Sequence, residues 1–275
     1  KRGVKVLYYV APQAWAWKEG RTHSLKKNVH TLFSILPFEK DWFLKRGVDQ
    51  VVSVAHPLLR RFAGELDHLP ERSFNSWSPK LKLLLLPGSR KSEVLSLLPA
   101  FIEVIKILKN KRPHHPHLPH EIEVHLVKVP HLSADLYDAF SEYIDVEYDS
   151  DRLTDALKTC HFGLAASGTV TLAAGLFELP TIVCYRSSLL NEFIFHQFIR
   201  YNGPVSLTNI IHQKMIFPEY LQDEIIPNRI ADQLLSWTMD KKKYNDLKNT
   251  LKSTKILLAG EKISIPDLMT RVIHE

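Results

Sequence analysis

Leu83–Leu86 is a run of four leucines bounded by Pro87 and Gly88. It is too short for a helix and has no polar partner, so it reads as a strand buried on both faces of a sheet. Such a sheet needs helices on both sides, and the rest of the chain must then alternate strand with helix. The Pro87-Gly88-Ser89 turn delivers Arg90 to the start of the next helix. That geometry suits an anion. Backbone N–H groups and the positive end of the helix dipole converge there, and a planar guanidinium can grip a phosphate with two donors. The same letters also spell an ordinary strand-to-helix turn, so this corner needs support from elsewhere.

The alternation does continue. Strands are expected at Val4–Val10, Thr31–Leu36 and Val48–Val54, with helical spacing over Glu19–Lys27 and from Pro37 to Gly47. Residues Arg60 to Pro79 are polar and carry Pro70, Ser73, Ser76 and Ser78, the composition of a linker. Beyond it the expected order is helix Glu93–Lys109 with Pro99 as a break or a second helix start, strand Glu121–Val127, helix Leu132–Tyr143, strand Ile144–Tyr148 and helix Asp151–Cys160. Strand His161–Ala166, a helix to Phe177, strand Thr181–Tyr185, helix Leu189–Arg200 and a short strand Val205–Asn209 follow. Amphipathic helices Pro227–Met239 and Lys241–Leu258 end the series. The expected fold class is α/β, with two Rossmann-like, doubly wound parallel-sheet lobes. Residues 1–79 would be the remainder of an incomplete first lobe with the linker, 80–240 the second lobe, and 241–275 a helical tail.

A second anion-binding corner is expected where strand His161–Ala166 meets Ser167-Gly168-Thr169. Small residues let a ligand approach the backbone, and the hydroxyls of Ser167 and Thr169 add donors. A well-capped core helix would look the same. Neither G-x-x-x-x-G-K-[ST] nor G-x-G-x-x-G occurs, which argues against a P-loop NTPase and a dinucleotide oxidoreductase. The histidine-rich stretch Lys109–His120 holds three prolines and no interleaved carboxylate or cysteine before Glu121, so it reads as a solvated loop rather than a metal site.

Composition sets the outer limits. An excess of 36 Lys+Arg over 30 Asp+Glu gives a net charge of +6, which fits an anionic partner such as a nucleotide or an acidic membrane face. No apolar run is long and clean enough to span a bilayer, so membrane contact is expected to be peripheral. Cys160 and Cys184 sit in apolar strand-like runs and read as buried free thiols in a reducing compartment.

Several motifs in order outweigh their separate ordinary readings. Tyr9-Val10-Ala11-Pro12-Gln13-Ala14-Trp15-Ala16-Trp17, Leu36-Pro37-Phe38-Glu39, His56-Pro57-Leu58, Leu86-Pro87-Gly88-Ser89-Arg90 with Ser92-Glu93-Val94, Ala166-Ser167-Gly168-Thr169, Tyr185-Arg186 and Ser206-Leu207-Thr208-Asn209 closely resemble the lipid-A-disaccharide synthase family across nearly the whole chain. The resemblance implies the two-lobed GT-B glycosyltransferase fold. It also implies transfer of 2,3-diacylglucosamine from UDP to 2,3-diacylglucosamine 1-phosphate (lipid X), forming the β-1,6 lipid A disaccharide without a metal or other cofactor.

The implied catalytic residues are Arg90 and Asn209. The implied UDP and substrate contacts are Gly88, Ser89, Ser167, Gly168, Thr169 and Arg186. The implied setting is the cytoplasmic face of a Gram-negative inner membrane, with no nucleic-acid partner and a homodimer left open. Three departures from the family pattern stand out. The family's glycine-rich start and its proposed general-base aspartate have no counterpart here, so this chain by itself is expected to be inactive. Ala173 stands where the family carries a glutamate that in related glycosyltransferases binds the ribose. Thr208 replaces a proline and Ala55 a glycine. The alternatives are a GT-B enzyme using UDP-N-acetylglucosamine without acyl chains, and a degenerate homologue that binds nucleotide or a partner without catalysis.

Overall fold

The structure, a computed structural model, describes residues 4–16, 18–75, 77, 79–111, 119, 121–186, 203–261 and 263–274. Trp17, the expected helix Leu189–Arg200 and the histidines of the 109–120 stretch lie outside the described residues. Two compact units result. Described residues 4–63, 203 and 255–274 form one, and 64–186 with 204–254 form the other. The first division therefore falls after Ala63 rather than at residue 79, and the expected tail 241–275 is split after Thr254.

The first unit holds β1 (Leu7–Tyr9), α1 (Arg21–Asn28), β2 (Thr31–Ser34), α2 (Glu39–Leu44), β3 (Val51–Ser53) and α3 (Pro57–Arg61). Its sheet is parallel in the order β1-β2-β3, with Leu7 opposite Thr31 and Leu32 opposite Val51. Leu25, Leu32, Phe43, Val48 and Val51 form the core beneath it. Two motifs of the sequence meet here. The Trp15 indole donates to Glu39 Oε1 at 3.0 Å, and the N–H groups of Ile35 and Leu36 donate to Glu39 Oε2 at 3.3 and 3.2 Å. Burial pushes the Glu39 carboxyl above the usual carboxylate range, and these three bonds pull it back. Trp15 also stands edge-on to Phe38 at 5.1 Å, so its indole seats the loop by packing.

The second unit runs β4 (Lys80–Leu86), α4 (Lys91–Lys111), β5 (Glu121–Lys128), β6 (Val146–Asp149), α5 (Leu153–Thr159), β7 (Phe162–Ala166), α6 (Thr169–Leu176), β8 (Thr181–Tyr185), α7 (Leu207–His212), β9 (Glu219–Leu221), α8 (Pro227–Met239) and α9 (Lys241–Lys252). All its strand pairs are parallel, in the order β6-β5-β4-β7-β8-β9. Leu83, Leu84 and Leu85 of β4 are fully buried, as a strand covered on both faces requires. Leu83 pairs with Val124 on one side and Phe162 on the other, so the leucine run is the centre of the sheet.

Four local expectations are corrected. Pro99 does not break α4, which runs unbroken through it; the carbonyl its ring leaves behind belongs to Leu95, on the exposed side where water can reach it. Val205–Asn209 is not a strand. Ser206 caps α7 instead, its Oγ accepting from the Asn209 N–H at 3.2 Å. Leu132–Tyr143 yields only the short helix Asp135–Asp138 and a 3₁₀ turn at Ser141–Tyr143. Tyr137 is its one buried side chain, too little to hold a longer helix. Residues 60–79 are no free linker: Arg72 and Trp77 are both buried, and Trp77 lies 5.2 Å from the rings of Phe162 and Tyr244.

Candidate functional site

The strand order of the second unit fixes where a ligand fits. From β4 the chain moves outward through β5 to β6, then crosses back to place β7 on the other side of β4. The loops leaving β4 and β7 therefore diverge and leave a crevice at the carboxyl ends of the strands. Both corners singled out from the sequence lie in it. A cavity of about 330 Å³ is lined by Gly88, Ser89, Arg90 and Glu93 from the β4 corner and by Ser167, Gly168 and Thr169 from the β7 corner. Leu86, Val127, Leu153 and Val170 supply apolar wall, and Ser150 adds a hydroxyl. Apolar wall with a few convergent polar groups is the makeup of a small-molecule site.

At the β4 corner the donors are already engaged. Glu93 Oε2 accepts from the backbone N–H groups of Ser89 and Arg90 at 2.9 and 3.1 Å, and Oε1 accepts from Arg90 Nη1 at 2.6 Å. The expectation that these two backbone N–H groups face a ligand is corrected: a carboxylate of the chain itself holds them. Arg90 lines the cavity and its side chain remains 77% exposed. The Ser89 carbonyl accepts from His131 Nε2 at 2.9 Å, which fixes the turn from its other side.

At the β7 corner the helix start is open. Gly168 is the N-cap of α6, and no side chain caps that end. A Cβ built on Gly168 would meet no atom within 4 Å, so the backbone of this corner is accessible from the cavity. An anion here would meet the positive end of an eight-residue helix. The Ser167 hydroxyl points elsewhere, donating to the Val205 carbonyl at 2.8 Å. That corrects its expected role as a donor toward a ligand; it ties the corner to the segment before α7.

Two further residues fall outside the cavity. Arg186 follows β8, is exposed, and donates to the Ser96 carbonyl at 3.4 Å. Asn209 is fully buried. Its Nδ2 donates to the Phe217 carbonyl at 2.8 Å and to Glu219 Oε1 at 2.7 Å, while its Oδ1 accepts from the N–H groups of Ile216 and Phe217 at 2.8 Å each. With its donors and acceptor engaged inside the unit, Asn209 holds a turn and is not among the residues that line the cavity.

Glu93, Val127, Ser150 and Leu153 are lining residues that sequence reasoning did not assign to the site. A signal existed for Glu93, an acid three residues after the helix-entering Arg90, the spacing of a capping box. Cys160 and Cys184 are buried, and burial pushes both thiols up, that of Cys184 to about 12, which leaves neither as a nucleophile.

Residues 1–267 match the family model of lipid-A-disaccharide synthetase. The lipid-A-disaccharide synthase of Paramagnetospirillum magneticum is 34% identical over 236 residues, covering 84% of this chain and 58% of the relative. That of Nitrosococcus oceani is 32% identical over 276 residues, covering 99% of this chain and 69% of the relative. The chain thus spans 58% and 69% of the length of these two relatives. A putative UDP-N-acetylglucosamine 2-epimerase from Listeria monocytogenes superimposes with a TM-score of 0.55 at 10% identity, over 84% of this chain and 57% of its own. S. aureus MnaA, solved with UDP, gives 0.51 at 11% identity over 92% and 61%. At these identities the likeness is one of fold.

Proposed function

The chain belongs to the lipid-A-disaccharide synthetase family, and from that membership we propose that it carries the nucleotide-sugar site of a glycosyl transfer. A diacylglucosamine activated on UDP is passed to diacylglucosamine 1-phosphate, forming the β-1,6 disaccharide of lipid A and releasing UDP. The observation that carries this reading is the cavity at the strand-order switch, where the two corners quoted for the resemblance come together. UDP departs with growing negative charge on its diphosphate, and preorganised positive groups aimed at that charge lower the barrier. Arg90 on one wall and the open start of α6 on the other are those groups; they take the part a metal plays elsewhere, and the transfer needs none. The apolar surface of Val127 and Leu153 suits a flat base.

Acylated substrates place the reaction at a membrane surface. Among the described residues no helix is long and apolar enough to cross a membrane. On this reading the contact is peripheral, at the cytoplasmic face of the inner membrane. Exposed Lys241, Lys242 and Lys243 at the start of α9 add attraction to anionic lipid there. A second reading, a homologue that binds nucleotide without catalysis, is favoured by one residue, Ala173, in place of the family glutamate.

Calorimetric titration of the chain with UDP, beside Arg90→Ala, is the test. Binding that weakens in the variant supports the nucleotide reading. A folded chain that takes up no UDP overturns it.

A further inference from the structure

We propose that Glu93 is a positioning residue for nucleotide binding, acting through Arg90 and not by touching the ligand's charge itself. The inference rests on the nucleotide reading above. Its basis is how completely the β4 corner is built around one carboxylate. Glu93 takes two successive backbone N–H groups and one guanidinium nitrogen, at 2.9, 3.1 and 2.6 Å, and its side chain is 14% exposed against 77% for Arg90. Gly88 makes the seat. At φ +114° it holds a backbone conformation that L side chains rarely adopt, and a Cβ there would stand 2.6 Å from the Cβ of Glu93. His131 closes the turn from outside through the Ser89 carbonyl. A concavity of successive N–H groups is a general anion seat. Here the chain fills it with its own acid, and the seat works as a clamp.

The consequence for a diphosphate follows from charge and order. Glu93 engages one nitrogen of Arg90, whose side chain lines the cavity and keeps its other donors for a ligand. Removing a carboxylate beside an anion site relieves repulsion, which by itself tightens binding. It also frees an exposed guanidinium to sample its rotamers in water, and that lost order has to be supplied when the ligand binds. The carboxylate is already compensated by the two backbone N–H groups and the guanidinium nitrogen that it accepts, so its repulsion of a ligand is small beside the ordering cost. Order wins, so the positioned arginine binds better than the free one.

The test is UDP titration of four proteins: the chain, Arg90→Ala, Glu93→Gln, and the two substitutions together. Glutamine keeps an oxygen for the backbone N–H groups of Ser89 and Arg90 and loses the charge that holds Nη1. Glu93→Gln is expected to weaken UDP binding about tenfold, in line with the cost of immobilising one long side chain. In the Arg90→Ala background it is expected to do nothing further. Glu93→Asp, which keeps the charge but shortens the reach, should show the same loss. Tighter binding in Glu93→Gln, or an equal further loss in the double variant, overturns the inference. So does a fall in thermal midpoint with UDP affinity unchanged, which marks a cap with no part in binding. In those cases Arg90→Ala still weakens binding and the nucleotide reading stands. A folded parent that binds no UDP removes both.

Discussion

The guanidinium of Arg72 donates through Nη1 to the carbonyl of Phe177 at 2.6 Å, joining a stretch of linker-like composition to the C-terminal end of α6. The same group donates through Nε to the Cys160 carbonyl at 3.1 Å and through Nη2 to the carbonyls of Leu157 and Lys158 at the end of α5. One planar cation thus serves the carbonyl ends of two helices, where orphan acceptors and the negative end of each dipole coincide. Those helices flank β7, whose C-terminal loop forms one wall of the cavity, so Arg72 supports the site from behind.

Replacing it should be costly. Arg72→Met keeps the stem and leaves several buried carbonyls without a donor, and the expected loss is about 3 kcal/mol of unfolding free energy. Urea denaturation of parent and variant reads it directly. A loss well under 1 kcal/mol would mean that water fills the place of the guanidinium.

The contrast between Arg72 and Leu83 shows what the sequence could disclose. A leucine run bounded by Pro87 and Gly88 carries its structure in its own composition, and the core of β4, the turn after it and the parallel sheet were all legible from local pattern. The two corners of the cavity were legible as strand-to-helix turns, and it was the order of motifs along the chain that marked them as a site. Arg72 was not, because its partners are 85 or more residues away and are backbone atoms without a letter of their own. Residues 206–209 misled differently. Asn209 was assigned by resemblance to a polar contact, and its role is decided by Phe217 and Glu219, which meet it only after the chain has turned. The seating of Glu93 needed geometry as well: the acid was visible, the space that Gly88 leaves for it was not.

Asn209 should therefore behave as a structural residue. Asn209→Ala strands the N–H groups of Ile216 and Phe217, while Glu219 Oε1 keeps the Ser206 N–H, and the expected loss is about 2 to 4 kcal/mol, the sum of roughly two unsatisfied buried groups. UDP affinity of the folded variant, measured at a temperature well below its midpoint, is expected to match the parent. A selective loss of affinity with stability intact would return Asn209 to the ligand.

His161 gives the fold a pH dependence. Its Nδ1 accepts the Lys82 N–H at 3.0 Å, and burial first, then the nearby charges of Arg72 and Lys82, pull its pKa down from 6.5 to about 4. The folded state therefore favours the neutral ring, while the unfolded chain takes up a proton near pH 6.5. Its contribution is complete above that value and is lost as pH falls from 6.5 toward 4, to a total of no more than about 3 kcal/mol. His161→Asn offers an uncharged acceptor in its place. Comparing urea midpoints at pH 7.5 and 4.5, the parent should lose ground to the variant on acidification. Parallel losses in the two proteins would assign the acid sensitivity to other groups, His125 among them.

Ala173 decides between the catalytic and the binding-only reading of this chain. It lies on α6, four residues beyond Thr169 and three beyond Val170, both of which line the cavity, so helical spacing puts all three on one face. Ala173 is 2% exposed, and a carboxylate introduced there has to reach the cavity or stand desolvated in the core. If the family's ribose contact is available on this backbone, Ala173→Glu should tighten UDP binding about tenfold, the worth of one charge-assisted hydrogen bond. The gain should disappear with 2′,3′-dideoxy-UDP, which offers no ribose hydroxyls. A variant that binds UDP no better and unfolds more easily would show the acid trapped in the core. The site would then have been rebuilt around alanine, and whatever nucleotide it takes would be held by Arg90 and the start of α6 without a grip on the sugar.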